Sequence, residues 1–211
     1  MARRLLIGIG AAFVAVVAGT SAYFFLAKPG ANSSVASQSL KNCPGGYAGA
    51  AVGGPFDLID QKGEQFTHAD LEGTPSLMYF GFATCPDVCP TDLAYISSAT
   101  DILAEKGVDV RPIFVTVDPE RDTPERLAEH VEFFHPSMIG LTGTLETIKA
   151  AAKAYRVFYQ KAQDPEFPDG YTMDHSANTY LLGADGSFMS FYRHGTSPED
   201  MAEAAACHLG G

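Results

Sequence analysis

Apolar and polar positions alternate along Phe56-Asp57-Leu58-Ile59-Asp60, and Gln65-Phe66-Thr67 follows after a Gln61-Lys62-Gly63 turn. Alternation of this kind around a glycine turn predicts a β-hairpin with one buried face. His68 to Leu71 reads as a single helical turn, and Ser76 to Phe82 is apolar almost throughout. Such a continuous run suits a central strand covered on both faces. Helical spacing then places Leu93, Ile96, Ala99, Ile102 and Leu103 on one face of a segment from about Thr91 to Lys106. Val108 to Val117 predicts a second buried strand, mixed or parallel. Thr123 is placed as an N-cap with Pro124 at the first helical position, and that helix should end near Phe134. A short strand is expected at Ile139–Leu141, a helix at Thr144–Tyr155 and a strand-like piece at Arg156–Gln160. Lys161 to Met173 is polar and contains Pro165, Pro168 and Gly170; it reads as a long loop, of the length that usually serves function. Strands at Ala177–Leu182 and Phe188–Tyr192 flank a Gly183-Ala184-Asp185-Gly186 turn. Ser197 caps a last helix from Pro198 to Leu209. This order predicts an α/β domain whose central sheet is flanked by helices.

The N-terminal segment changes the picture from a domain to a tethered domain. Arg3 and Arg4 precede 23 uncharged residues, Leu5 to Ala27. At about 1.5 Å of helical rise per residue this stretch spans a hydrocarbon core of about 30 Å. A cleaved signal peptide is the competing reading, but its apolar region would run to only about 7–15 residues. Basic residues sit before the span, so the N-terminus should stay cytoplasmic and the rest should be exported. An Arg- and Ser-rich transit peptide is absent. The expectation is a single-pass anchor (residues 1–28) in a bacterial inner membrane, a flexible tether rich in Ser, Ala and Asn (29–52), and one periplasmic domain (53–211). Net charge is −11, and all 25 acidic residues lie beyond Lys28. A domain that acidic repels nucleic-acid phosphates, so no nucleic-acid partner is expected.

Candidate chemistry is concentrated in Thr84-Cys85-Pro86-Asp87-Val88-Cys89-Pro90, between a buried strand and a helix. Two cysteines four apart around a first helical turn can point their sulfurs to one side, and a helix N-terminus favours thiolates. Taken alone, the pair fits either a disulfide or a soft-metal site. A second feature is Met173-Asp174-His175-Ser176, at the end of the polar stretch. Two thiolates and an imidazole suit copper or zinc better than a carboxylate-preferring metal.

Cys85-Pro-Asp-Val-Cys-Pro90, then Val117-Asp118-Pro119-Glu120-Arg121-Asp122-Thr123, then Asp174-His175-Ser176 stand in the order found in the Sco/SenC family, and the resemblance runs from about Pro55 to Leu209. It implies a thioredoxin-like fold, here with the N-terminal hairpin added, and one Cu(I) or Cu(II) per chain held by Cys85, Cys89 and His175. It further implies a membrane-tethered metallochaperone for the dinuclear copper centre of cytochrome c oxidase. The implied partners are the oxidase's copper-containing subunit and another periplasmic copper chaperone. The alternative is a thiol–disulfide oxidoreductase that cycles Cys85 and Cys89 without copper. Only the copper reading needs His175, which stands roughly where a thioredoxin carries its cis-proline. A peroxidatic role for Cys85 or Cys89 is a third and weaker reading. A Cys85–Cys89 disulfide is expected in the oxidised apo form, and copper binding requires that pair reduced.

Asp87 could satisfy backbone N–H groups at the helix start, and Asp174 could orient His175 or sit beside the metal, with neither role fixed by the sequence. Asp118 ends a strand and could approach the site, but Arg121, Asp122 and Thr123 read more simply as a turn and a cap. His68, His130, His135, His194 and His208 lack ligand-like spacing. Cys43 and Cys207 depart from the minimal family pattern. In an exported chain an even cysteine count predicts a second bridge, Cys43–Cys207, against the alternative of a metal or redox pair of Cys207 with His208.

Overall fold

A computed structural model describes residues 43–44, 52–167 and 170–210. The expected membrane span and nearly all of the tether lie outside these residues. Among the described residues no helix is long and apolar enough to cross a membrane.

Among the described residues the domain has nine strands and four α-helices, with a short 3-10 turn at His68–Leu71. In chain order they are β1 (Asp57–Asp60), β2 (Gln65–Thr67), β3 (Ser76–Gly81), α1 (Val88–Glu105), β4 (Arg111–Thr116), α2 (Pro124–Phe134), β5 (Ile139–Thr142), α3 (Leu145–Ala154), β6 (Tyr159–Gln163), β7 (Tyr171–His175), β8 (Asn178–Leu182), β9 (Phe188–Arg193) and α4 (Pro198–Leu209). Seven strands form one mixed sheet in the order β2-β1-β5-β4-β3-β8-β9. β3 runs parallel to β4 and antiparallel to β8, while β4 runs parallel to β5. Every residue of β3 is buried, which is why its sequence shows no alternation. A strand flanked by neighbours and covered on both faces has no polar side to display. The β1–β2 hairpin adds its strands to the far edge through β5. This is the thioredoxin-like arrangement of a central mixed sheet with flanking helices.

Local chemistry places the helix starts. Thr123 Oγ1 accepts from the Arg126 N–H at 3.4 Å, with Pro124 opening α2, and Ser197 Oγ accepts from the Asp200 N–H at 3.1 Å, with Pro198 opening α4. These oxygens satisfy donors that have no partner within the helix. α1 starts at Val88 rather than near Thr91, so Pro90 falls inside its first turn, where a missing N–H costs nothing. α1 and α4 pack against each other, and their buried residues Leu93, Ile96, Met201 and Ala205 join the core.

The long loop expected over Lys161–Met173 has strands at both of its ends, Lys161–Gln163 in β6 and Tyr171–Met173 in β7. β6 and β7 pair antiparallel, Tyr159 opposite His175 and Gln163 opposite Tyr171, as a sheet of their own. His175 therefore sits at the end of a paired strand.

At the opposite end of α1 from the cysteines, Cys43 and Cys207 form a disulfide with Cα atoms 5.8 Å apart. Beside it the buried His208 places Nε2 3.1 Å from the Pro44 carbonyl oxygen. Cys207 is thus occupied by Cys43, and the His208 ring faces backbone rather than a sulfur.

Candidate metal centre

The carboxyl end of β3 delivers the cysteine loop. Phe82 carbonyl accepts from the Cys85 N–H at 3.1 Å, which turns the chain, and α1 begins three residues later. The first N–H groups of a helix need outside acceptors. Asp87 could have provided one, but its side chain makes no cap. The Cys85 sulfur takes that place, accepting from the Cys89 N–H at 3.4 Å. A sulfur that caps a helix is stabilised as thiolate by the N–H and by the helix dipole.

His175 reaches the same spot because β7 leads directly into β8. Tyr79 of β3 pairs with Thr179 of β8, so the start of β8 lies next to the end of β3. The imidazole then falls between two rings, edge-on to Phe82 at 5.7 Å and to Tyr79 at 6.1 Å. Nδ1 donates to the Ser176 carbonyl oxygen at 3.2 Å. Nε2 is left facing the sulfurs, 3.4 Å from Cys89 Sγ. Cys85, Cys89 and His175 place one donor atom each within 4.8 Å of one another. Both cysteines are free thiols, Cys89 fully buried and Cys85 partly exposed.

Their protons are unequally held. A hydrogen bond from Cys89, with help from His175 and from the backbone N–H groups of Asp87 and Cys89, brings the Cys85 thiol down to about 4 against the opposing effect of burial. Cys89 is pushed far up, because it donates to Cys85 and is itself buried. The pair therefore holds one proton and one negative charge, with the charge on the more exposed sulfur, that of Cys85. A soft cation entering from solvent meets a thiolate first and needs to displace only the Cys89 proton.

The remaining candidates lie outside this cluster. Asp174 is exposed and accepts from Gln160 Nε2 across the hairpin at 3.2 Å, so it does not orient the imidazole. Asp118 is buried but turns to Arg121 and to the Tyr171 hydroxyl rather than to the sulfurs. Asp122 supports the cysteine loop, accepting from the Ala83 N–H at 2.9 Å and the Thr116 hydroxyl at 2.6 Å. His130 packs on Phe114, His135 lies against Asp101 and His194 against Asp92. Sequence reasoning missed Tyr79, Phe82 and Tyr171 as parts of the site's frame. The first two were read only as a buried run, and nothing in the polar stretch singles out Tyr171.

A model of the SCO1/SenC family matches residues 45–210. This chain belongs to the SCO1/SenC family. Among its relatives is the protein SenC of Rhodobacter capsulatus, 46% identical over 164 residues, which span 78% of this chain and 73% of SenC. Among solved structures it is similar to that of Arabidopsis thaliana ScoI with copper bound, at 42% identity and a TM-score of 0.72, covering 75% of this chain and 98% of the other. A third match is BsSco, described as a member of the Sco family of cytochrome c oxidase assembly proteins with a disulfide switch. It is 25% identical, with a TM-score of 0.59 over 74% of this chain and 92% of BsSco. The SCO1/SenC family match covers the domain that carries Cys85, Cys89 and His175.

Proposed function

We propose that this SCO1/SenC protein binds one copper ion through Cys85, Cys89 and His175 and serves assembly of the copper centre of cytochrome c oxidase. The observation that carries the reading is the convergence of two sulfurs and one imidazole nitrogen within 4.8 Å, from segments 86 residues apart. The donor set fits copper in both oxidation states: thiolates favour Cu(I), and imidazole accepts either. The copper held by the Arabidopsis relative supports the first half of the proposal, and the oxidase-assembly description of BsSco supports the second. Residues Leu5–Ala27 are proposed to anchor the chain in a bacterial inner membrane, with the domain and its copper-delivery partners in the periplasm.

Copper titration of the reduced full chain tests the ligand set. One equivalent should bind, with a thiolate-to-Cu(II) charge-transfer absorption. His175→Ala should weaken Cu(II) binding sharply while the Cys85–Cys89 couple still cycles. Unchanged Cu(II) affinity in that variant would refute the three-ligand arrangement.

A second reading has its own support in the asymmetry of the cysteines. Cys85 is a partly exposed thiolate, and Cys89 is a buried thiol beside it. This is the layout of an attacking and a resolving thiol. Cys85 would displace one sulfur of a partner's disulfide, and Cys89, losing its proton, would then release the second. The partner gains two electrons and this chain ends with a Cys85–Cys89 bond. Reductase activity that persists in His175→Ala while copper binding is lost would separate the two roles.

A further inference from the structure

We propose that Arg121, seated on Tyr171, is a positioning residue for His175. The inference rests on the three-ligand reading above. It begins from the isolation of the β6–β7 hairpin, which has no strand ladder to the seven-stranded sheet. Its place must therefore be set by the chain running into β8 and by side chains. Along β7, Tyr171, Met173 and His175 share one face, because side chains alternate on a strand. Met173 on that face is buried, whereas Asp174 on the other is exposed.

Arg121 grips the far end of this face. Its side chain is 8% exposed and is paired with Asp118, which is 1% exposed. Nη1 donates to the Tyr171 carbonyl oxygen at 3.1 Å, and the guanidinium carbon stands 3.9 Å from the centroid of the Tyr171 ring. The Tyr171 hydroxyl closes the loop by donating to Asp118 at 3.2 Å. A planar guanidinium can lie flat on a ring while its fork of donors serves a carboxylate and a carbonyl oxygen, a geometry that the point charge of a lysine does not reproduce. The same guanidinium lies 5.9 Å from the Phe82 ring, which is one wall of the slot that holds the imidazole. The next residue, Asp122, ties down Ala83 at the base of the cysteine loop. The Asp118–Asp122 turn thus grips the cysteine loop on one side and the histidine strand on the other. Residues that read as a plain turn in the sequence fix the distance between the two halves of the donor set.

Replacing Arg121 alone leaves the Asp118 carboxylate buried without its ion-pair partner, so the test uses the paired change Asp118→Asn/Arg121→Met and, separately, Arg121→Lys. Each is combined with His175→Ala in the full chain, and Cu(II) and Cu(I) dissociation constants are measured. Residues that orient a metal ligand typically contribute about 10–100-fold in affinity. A loss of that size in Cu(II) affinity is expected when His175 is present, with a shifted charge-transfer band. When His175→Ala is already in place, the further loss should be under about twofold, because there is no imidazole left to position. Cu(I), which two thiolates can satisfy, should move far less. Equal losses with and without His175, or no loss with it, would overturn the proposal. If the paired variant does not fold, the Arg121→Lys cycle decides by the same criterion. A null effect of His175→Ala by itself would instead refute the ligand set, and the positioning role with it.

Discussion

The reactivity of Cys85 should depend on pH in a way that no ordinary thiol does. Its thiol is brought down to about 4 from an ordinary 9.0, chiefly by the hydrogen bond from Cys89. Because the folded value is depressed, the thiolate is the resting form at neutral pH and is lost only as pH falls through about 4. An ordinary thiol at pH 7 is about one part in a hundred ionised, so Cys85 gains about 100-fold in thiolate. Nucleophilicity falls with pKa at a Brønsted slope of about 0.4–0.5, and a five-unit drop therefore loses about 100–300-fold. The two effects nearly cancel at pH 7, where Cys85 should look unremarkable. At pH 5 the ordinary thiol has lost another factor of about 100, while Cys85 has lost almost nothing. The assay is the rate of exchange between the reduced, metal-free chain and a dipyridyl disulfide, from pH 3 to pH 9. Cys43 and Cys207 are bridged and do not compete. A plateau from about pH 5 upward with a fall near pH 4 is expected. A rate that climbs tenfold per pH unit from 5 to 8 would refute both the capping role of the sulfur and the unequal sharing of the proton.

Two further outcomes follow from the packing. Removing the Cys43–Cys207 bridge by a double Cys→Ser change should lower stability by at most about 5 kcal/mol, the chain-entropy value for its long loop, since its partners lie 164 residues apart. The midpoint of thermal unfolding should then fall by about 10–20 °C at that limit, and a fall under about 2 °C would show that the bridge does not constrain the unfolded chain. Gly81→Ala should destabilise by about 1–3 kcal/mol through overpacking. A Cβ there would lie 2.9 Å from Cys89 Sγ and 2.8 Å from the Tyr79 ring. Denaturant titration checks this, and an unchanged midpoint would mean that the slot around Cys89 has room to spare.

The elements that bury a full face were legible in the chain, whereas β6 was read only at its first two residues and β7 was read as loop. β3, β4 and the four helices announced themselves by apolar runs, helical spacing and the Thr123 and Ser197 caps. β6 reads Tyr-Gln-Lys-Ala-Gln and has no buried residue, so it carried no period for a strand to show. Only its pairing with β7 defines it, and backbone pairing leaves little mark on side-chain choice. α1 starts at Val88, three residues before the expected start, because its first turn tolerates Pro90 and carries no apolar period of its own. Adjacency left the roles of Asp87 and Asp174 open: the Asp87 side chain makes no cap, and Asp174 accepts from Gln160 across the hairpin.

What the sequence determined by itself was the identity of the donors: two cysteines at the mouth of a helix and a histidine before a strand, with chemistry fixed by residue type. What only the tertiary structure decided was their meeting. β8 pairs antiparallel with β3, so the residues just before β8 arrive at the end of β3, and no local pattern encodes that register. Nor could spacing reveal that the Cys85 sulfur caps α1 or that Cys89 keeps the shared proton. Both depend on burial and on hydrogen bonds that exist only once the sheet has assembled.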